Sequence, residues 1–320
     1  MNPPLHRRAL LGAALAAPVL LAGCVPSDRA PVLRVGSQRG GTKSLMLAAG
    51  VLGGAPYRVE WSEFPAAQHL LEAVGGGAVD LGAVGDAPFL FAFAAGGKVK
   101  AVHAARGSGG GAGTAILVSG ASPVRTVADL RGKKVATGRG SIGHYLLLHR
   151  LDEAGLKPAD VQIVFLSPGD AKAAFSTGAI DAWVTWGSYI HIAVRDDKAR
   201  VLSDGRGALS GLGFEVANTK AIASKRGQIA DFLTRLSRAQ RWSGAHKDEY
   251  ATVMAKETGL DLEIARLTVE TYRGQPVPID ATVVEEERRV LDLFRRTGAI
   301  PSAPDIAQAF DTSFAAAVTP

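Results

Sequence analysis

Two glycine-rich segments hold the residues best suited to chemistry: Ser37-Gln38-Arg39-Gly40-Gly41-Thr42 and Gly138-Arg139-Gly140-Ser141-Ile142-Gly143-His144. Each follows a short apolar run that reads as a strand and precedes a run that reads as a helix. Such a turn presents free backbone N–H groups and the positive end of a helix dipole. Glycine lets that backbone approach a ligand, and Ser, Thr and Gln add neutral donors, which makes an anion-binding arrangement. An ordinary helix cap is the simpler reading of one such turn; a second at the matching place points to a shared ligand. Neither ends in the Gly-Lys-Ser/Thr of a nucleotide-binding loop. A third turn, Gly85-Asp86-Ala87-Pro88, offers Asp86 as a helix cap or as a pocket wall. Trp186 ends an apolar strand, where its ring could cover an aliphatic tail. The candidate contacts are therefore Ser37, Gln38, Arg39, Thr42, Gly85, Asp86, Ser141, Gly143, His144 and Trp186.

Covalent or acid–base chemistry finds less support. Gly140-Ser141-Ile142-Gly143-His144 resembles a nucleophile elbow only loosely, with its serine off register. His144 beside a turn is most simply a hydrogen-bonder at a helix start. His69, His103, His149, His191 and His246 show no metal-ligand spacing. The single cysteine, Cys24, allows no intramolecular disulfide and no cysteine-rich metal site. Binding without catalysis, with neither cofactor nor metal, is the expectation.

The elements that position these turns repeat. Arg34-Val35-Gly36-Ser37-Gln38-Arg39-Gly40 has a counterpart in Lys134-Val135-Ala136-Thr137-Gly138-Arg139-Gly140, an offset of 100, and Gly77-Ala78-Val79-Asp80 has one in Gly178-Ala179-Ile180-Asp181, an offset of 101. Further strands are expected over 59–64, 81–84, 99–104 and 114–118 in the first unit. In the second they are expected over 161–166, 182–186 and 200–202, with a short one over 214–217. Residues 222–310 read as almost wholly helical, with Trp242, Tyr250 and Leu260 as packing residues. Strands alternating with helices predict an α/β protein of two lobes, each built on a mostly parallel sheet. The chain would cross between lobes near Ser119 and return near Gly207, which gives lobe 1 as 32–118 with 208–320 and lobe 2 as 119–207. A cleft hinged by two crossings can close over a ligand, and both sets of strand ends would face it.

The 320 residues are 47% hydrophobic and 21% charged, enough for a sizeable core and too long for one small module. The formal charge of +6 falls by two, to +4, if the segment with Arg7 and Arg8 is removed, and no basic track for nucleic acid is visible. Those arginines precede an uncharged apolar run that ends in Leu21-Ala22-Gly23-Cys24. The pattern predicts a secretory signal over 1–23. The tetrapeptide resembles a bacterial lipobox, which implies acylation of Cys24, a linker over 24–31 and a lipid-tethered mature chain.

Val59-Glu60-Trp61-Ser62-Glu63-Phe64-Pro65, Gly85-Asp86-Ala87-Pro88, Thr126 to Val135, Ser141 to Leu148 and Asp181 to Tyr189 together resemble the aliphatic-sulfonate-binding proteins of bacterial ABC importers. The likeness runs from about Leu33 to Phe294 and belongs to a wider group of nitrate, sulfonate and taurine binders. It implies a two-lobed periplasmic-binding-protein fold, type II. It also implies a monomer that captures an organic sulfonate and hands it to a membrane permease driven by an ATPase. Taurine, nitrate, an aromatic sulfonate, a pyrimidine precursor or a non-transport sensor role are the alternatives within the fold. A sulfinate-cleaving relative uses a cysteine nucleophile, and here the one cysteine sits in the lipobox. Relatives commonly carry Trp-Asp-Pro-Tyr where this chain has Trp186-Gly187-Ser188-Tyr189, and lysine where it has Arg39, whose planar guanidinium differs in geometry.

Overall fold

A computed structural model describes residues 30–317. The predicted signal, the lipobox and Cys24 lie outside the described residues. Among the described residues no helix is long and apolar enough to cross a membrane.

The first half runs β1 (Val32–Gln38), α1 (Thr42–Ala48), β2 (Arg58–Phe64), α2 (Ala67–Gly75), β3 (Leu81–Gly85), α3 (Asp86–Ala94) and β4 (Val99–Gly107). Next come β5 (Thr114–Ser119), β6 (Lys134–Thr137), α4 (Ile142–Glu153), β7 (Gln162–Phe165), α5 (Pro168–Ser176), β8 (Ala182–Trp186), α6 (Ser188–Asp196) and β9 (Ala199–Asp204). The chain finishes with β10 (Leu212–Asn218), α7 (Thr219–Ser224), α8 (Arg226–Ser243), α9 (Lys247–Thr258), α10 (Leu262–Tyr272), β11 (Gly274–Val277) and α11 (Ala281–Arg296).

Two sheets result, in the orders β11-β4-β10-β3-β1-β2 and β7-β6-β8-β5-β9. Each is covered on both faces. In the first lobe Leu70, Phe89 and Phe294 fill one side, and Met46, Phe232 and Leu236 the other. In the second, Leu146 and Leu151 of α4 pack one side, while Phe175 and Ile190 of α5 and α6 pack the other. Burial on both faces is why the central strands are near-continuous apolar runs rather than alternating ones.

The repeat is structural. β1, β2 and β3 with α1 and α2 match β6, β7 and β8 with α4 and α5, and in both sheets the first strand of the unit lies between the other two. The paired Gly-Ala-Val/Ile-Asp motifs close the same turn. The Arg34 backbone amide donates to Asp80 Oδ2 at 2.8 Å, and the Lys134 amide donates to Asp181 Oδ2 at 2.8 Å. Each aspartate thus pins the start of the unit's first strand to the start of its third. Burial and the Arg34 and Lys225 cations act in opposite senses on Asp80, and the net effect holds its carboxyl below the usual range.

Two expectations need correction. The sheets are mixed, not mostly parallel: β10 runs antiparallel to β3 and β4, β11 antiparallel to β4, and β5 antiparallel to β8 and β9. Residues 114–118 also belong to the second sheet, so the first crossing precedes Thr114 rather than falling at Ser119. The reason is reciprocal. The strand that enters each lobe from the other, β5 or β10, pairs antiparallel with the third strand of that lobe's repeat unit.

Candidate functional site

β1 delivers the first glycine-rich turn to a cavity of about 270 Å³. The turn is held from behind. The Gly41 amide donates to the Gln38 carbonyl at 2.9 Å. Ser37, 1% exposed, donates to the same carbonyl at 3.0 Å and accepts from the Lys43 amide at 3.2 Å. Gln38 Nε2 donates to the Ala83 carbonyl at 3.1 Å, which ties β1 to β3. The Tyr250 hydroxyl donates to the Gly40 carbonyl at 3.2 Å, and Arg39 donates to the Thr258 carbonyl. With these bonds made on the protein side, Gln38 to Thr42 line the cavity.

The other walls come from three places. Gly85 and Asp86 bring the third turn, and Trp186 to Tyr189 bring the end of β8 from the second lobe. Gly107, Gly109, Gly111, Gly113 and Gly211 of the crossings also line the cavity, together with Gln240, Tyr250, Thr268 and Arg273 of the C-terminal half. Sequence reasoning missed this last group, having read Tyr250 and Leu260 only as packing residues; both line the cavity.

The cavity is electrostatically unusual because it is walled by acids. Asp86 is fully buried; its Oδ1 accepts from the Ala87 amide at 2.6 Å and its Oδ2 from the Ser210 hydroxyl at 2.6 Å. Burial pushes its pKa up to about 6, against the pull of those bonds. Arg106, at the end of β4, donates to the Ser210 carbonyl at 2.6 Å and pairs with Glu286 at 2.9 Å, so Asp86 is wired to both crossings. Glu215 of β10 is 3% exposed, and burial raises its pKa to about 8; its one hydrogen-bond partner among the described residues is the Thr42 hydroxyl, which donates to Oε1 at 3.0 Å. His103 contacts the Ser237 hydroxyl at 3.0 Å, and burial lowers it to about 4, leaving it neutral near pH 7.

The second glycine-rich turn is arranged differently. Ser141 caps α4, its Oγ accepting from the His144 amide at 3.0 Å and lying 3.3 Å from Thr137 Oγ1. The Gly140 amide donates to His144 Nδ1 at 3.2 Å. The His144 ring packs edge-on to Phe165, 5.0 Å between centroids, and is lowered to about 4 by burial and, to a lesser degree, by Arg139. A Cβ on Gly143 would meet Thr137 Oγ1 at 2.7 Å and the Val184 carbonyl at 2.9 Å, so glycine here lets α4 sit close against the sheet. Of this turn only Ile142 lines the 270 Å³ cavity. Gly138, Arg139 and Gly140 face a second cavity of about 780 Å³, shared with Gln68, Phe165 and Trp186. There Gln68 Nε2 donates to the Arg139 carbonyl at 2.9 Å across the lobes, and the Arg139 guanidinium lies 3.9 Å from the Phe165 ring centre.

Of the ten residues expected from sequence, Gln38, Arg39, Thr42, Gly85, Asp86 and Trp186 come together around one cavity. Ser37, Ser141, Gly143 and His144 do not line it; they are buried behind the turns and shape them. Gly187, where relatives commonly have aspartate, has φ +59°, a conformation that favours glycine. Among the described residues no group of three or more His, Cys, Asp or Glu side chains could hold a metal ion.

Residues 59–250 match the family described as NMT1/THI5 like. A protein of Escherichia coli K12, named an aliphatic-sulfonates-binding protein, is 34% identical over 290 residues, covering 89% of this chain and 90% of its own. Among solved structures, the periplasmic aliphatic sulphonate binding protein SsuA of Escherichia coli superposes with a TM-score of 0.76 at 33% identity, covering 88% of this chain and 92% of that one. The alkanesulfonate-binding protein SsuA of Xanthomonas axonopodis pv. citri, bound to MOPS, gives 0.80 at 32% identity, covering 88% and 98%. Two lobes of duplicated α/β topology, a cavity between them and identity sustained over nine-tenths of a relative's length agree: the chain belongs to the aliphatic-sulfonate-binding proteins of the NMT1/THI5-like family.

Proposed function

We propose that this protein is the extracytoplasmic binding component of an ABC importer and that it holds an aliphatic sulfonate between its lobes for delivery to the permease. The observation that carries this reading is the 270 Å³ cavity, walled on one side by the Gln38–Thr42 backbone turn and on the other by Trp186 to Tyr189 of the opposite lobe. A ligand that touches both can hold the lobes together. A sulfonate stays ionised at physiological pH, so backbone amides and neutral side chains suffice to hold its head. Gln38 and the turn amides would take that head, Trp186 would cover the tail, and Thr42, whose hydroxyl proton goes to Glu215, would shape the wall beside them. Arg39 spends donors on the Thr258 carbonyl and shapes the rim. Asp86 links the pocket floor to the crossings.

Catalysis is not part of this reading. The two buried histidines nearest the turns, His103 and His144, are engaged by Ser237 and by the Gly140 amide, and neither faces a serine backed by an acid. The lipid anchor at Cys24, after loss of residues 1–23, belongs to the same proposal and accounts for a binding protein retained at the membrane. A Cys24→Ala chain should then appear in the soluble fraction after export.

A thermal-shift series of the mature chain against alkanesulfonates of increasing length, taurine, nitrate and sulfate tests the function. A ligand at a hundred times its Kd adds about 2.7 kcal/mol of stability, a readable rise in melting temperature. Stabilisation by alkanesulfonates above sulfate and nitrate is expected. No response to any sulfonate would remove the reading.

A further inference from the structure

The cavity holds three buried polar atoms that the protein itself leaves without hydrogen-bond partners among the described residues: Glu215 Oε2, Gln240 Oε1 and Arg273 Nε. Buried polar groups are almost always paired, because an orphan forfeits its solvation with nothing in return. Here the orphans are of two kinds, two acceptors and one donor on a cation. Glu215 and Gln240 are 3% and 8% exposed, so bulk water is a poor partner for either. The Thr42 hydroxyl satisfies Oε1 of Glu215 and leaves Oε2 open. Neither cationic residue on the cavity wall, Arg39 or Arg273, pairs with this carboxylate among the described residues: its Oε1 takes the Thr42 hydroxyl, its Oε2 takes nothing, and Arg39 reaches to the Thr258 carbonyl. His103, the other titratable group nearby, is bound to Ser237.

We propose that the ligand is a zwitterion, a sulfonate whose tail ends in an ammonium group, and that Glu215 with Gln240 is the subsite for that ammonium. The assignment rests on the sulfonate reading above and refines it. An ammonium carries three N–H donors and no acceptor, which matches two unpartnered oxygens. Its charge removes the cost of ionising Glu215 in a dry site, so ligand and carboxylate stabilise each other as an ion pair. The sulfonate meets the turn amides, and Arg273 Nε, unpartnered on the same cavity wall, is a further donor for it. A plain alkyl tail would instead bury Glu215 Oε2 further against hydrocarbon with no donor. Glu215 thus sets specificity by what an uncharged tail fails to supply, the usual way a buried polar group rejects a ligand lacking its complement.

Two near-isosteric ligands decide the matter: 3-aminopropane-1-sulfonate and butane-1-sulfonate, which differ by NH3+ against CH3. Calorimetric titration at pH 7.5, in a buffer free of sulfonates, should show the aminosulfonate binding the unmodified mature chain at least tenfold more tightly. In Glu215→Gln that preference should fall to within about twofold, through weaker binding of the aminosulfonate with butanesulfonate unchanged or improved. Equal affinity of the unmodified chain for the two, or a preference for butanesulfonate, overturns the assignment and leaves the sulfonate reading standing. A Glu215→Gln variant that melts like the unmodified chain yet loses both ligands alike also overturns it, because the Glu215 side chain would then be serving the pocket as a whole rather than the ammonium. If neither ligand binds the unmodified chain, the sulfonate reading itself fails and this subsite with it. The ratio in the unmodified chain needs no variant, so a folding defect in Glu215→Gln does not shield the proposal.

Discussion

The two glycine-rich turns are near-copies in sequence and differ in what they do with their polar groups. In both, a hydroxyl residue stands at or one residue before the end of a strand, Thr137 in β6 and Ser37 in β1, followed by a glycine-bearing turn and a helix. In the first, the strand-end hydroxyl takes the helix amide (Lys43 to Ser37), which frees Thr42 to bond a buried carboxylate in the cavity. In the second, Ser141 at the helix start takes the amide of His144, Thr137 contacts Ser141, and the imidazole takes the Gly140 amide. Its donors are consumed locally. Duplication conserves the way the chain turns; one or two residue types decide whether the donors that result serve a ligand or the fold.

The largest expected effect sharpens the first turn's side of this contrast. Glu215, held by Thr42, has its pKa raised to about 8 by burial. Between its ordinary value and 8 the folded chain binds more protons than the unfolded one, so stability falls as pH rises through that window. Each tenfold change in proton affinity is worth about 1.4 kcal/mol, so several kcal/mol are at stake. The opposite slope of His103 and His144, whose unfolded-state protons leave around their ordinary value of 6.5, fades toward the top of the window and is common to the two chains compared. Buried Glu287 is also raised and contributes to the same slope, so the measurement is a difference. Denaturant melts of the ligand-free chain should lose stability from pH 6.5 to 8.5, and Glu215→Gln should lose markedly less. Parallel curves would mean that Glu215 is already ionised at neutral pH, with a cation or water at Oε2.

The second effect probes the other turn. Gly143→Ala drives a Cβ to 2.9 Å from the Val184 carbonyl, a backbone atom that cannot step aside alone. The matching residue of the first turn is Lys43, whose side chain reaches outward to Glu63 and Glu257. Gly143→Ala should cost about 2–3 kcal/mol of stability by overpacking, and Lys43→Ala less, about 1 kcal/mol, since its ion pairs lie at the partly exposed surface and its removal forces no backbone apart. Thermal or urea melts of the two variants side by side check the asymmetry. Equal losses would mean that α4 shifts easily on its sheet.

Much of this architecture was legible beforehand because it is local. Apolar runs of four to seven residues bounded by Gly, Asp and Ser mark most of the strands, and the Asp80 and Asp181 motifs repeat because each pins its strand in the same way. What escaped was non-local. Nothing within 114–118 says which sheet it joins, since that is decided by its antiparallel partners β8 and β9. β11, Gly274-Gln275-Pro276-Val277, is an edge strand whose glycine and proline hide any strand pattern, and an edge is where proline is tolerated. Glu215 left a trace that could have been read, a lone charge inside the apolar strand Leu212–Asn218. Gln240 on α8 and Arg273 just past the end of α10 left none, because polar residues on or beside amphipathic helices look alike whether they face solvent or a cavity.

The smallest effect is the most discriminating. On sequence alone Ser141 and Gln38 stand alike as candidate contacts of the ligand. In the folded chain Ser141 Oγ is 3.0 Å from the amide it caps, and the residue is 1% exposed. Removing an N-cap side chain typically costs about 1 kcal/mol. Ser141→Ala alone should therefore lower stability by about that amount while shifting sulfonate affinity less than twofold, and the loss in a double variant should come from Gln38. Calorimetry of the two single variants separates them. A tenfold loss of affinity from Ser141→Ala, with stability unchanged, would place the second turn in contact with the ligand after all and restore the symmetry that the two sequences suggest.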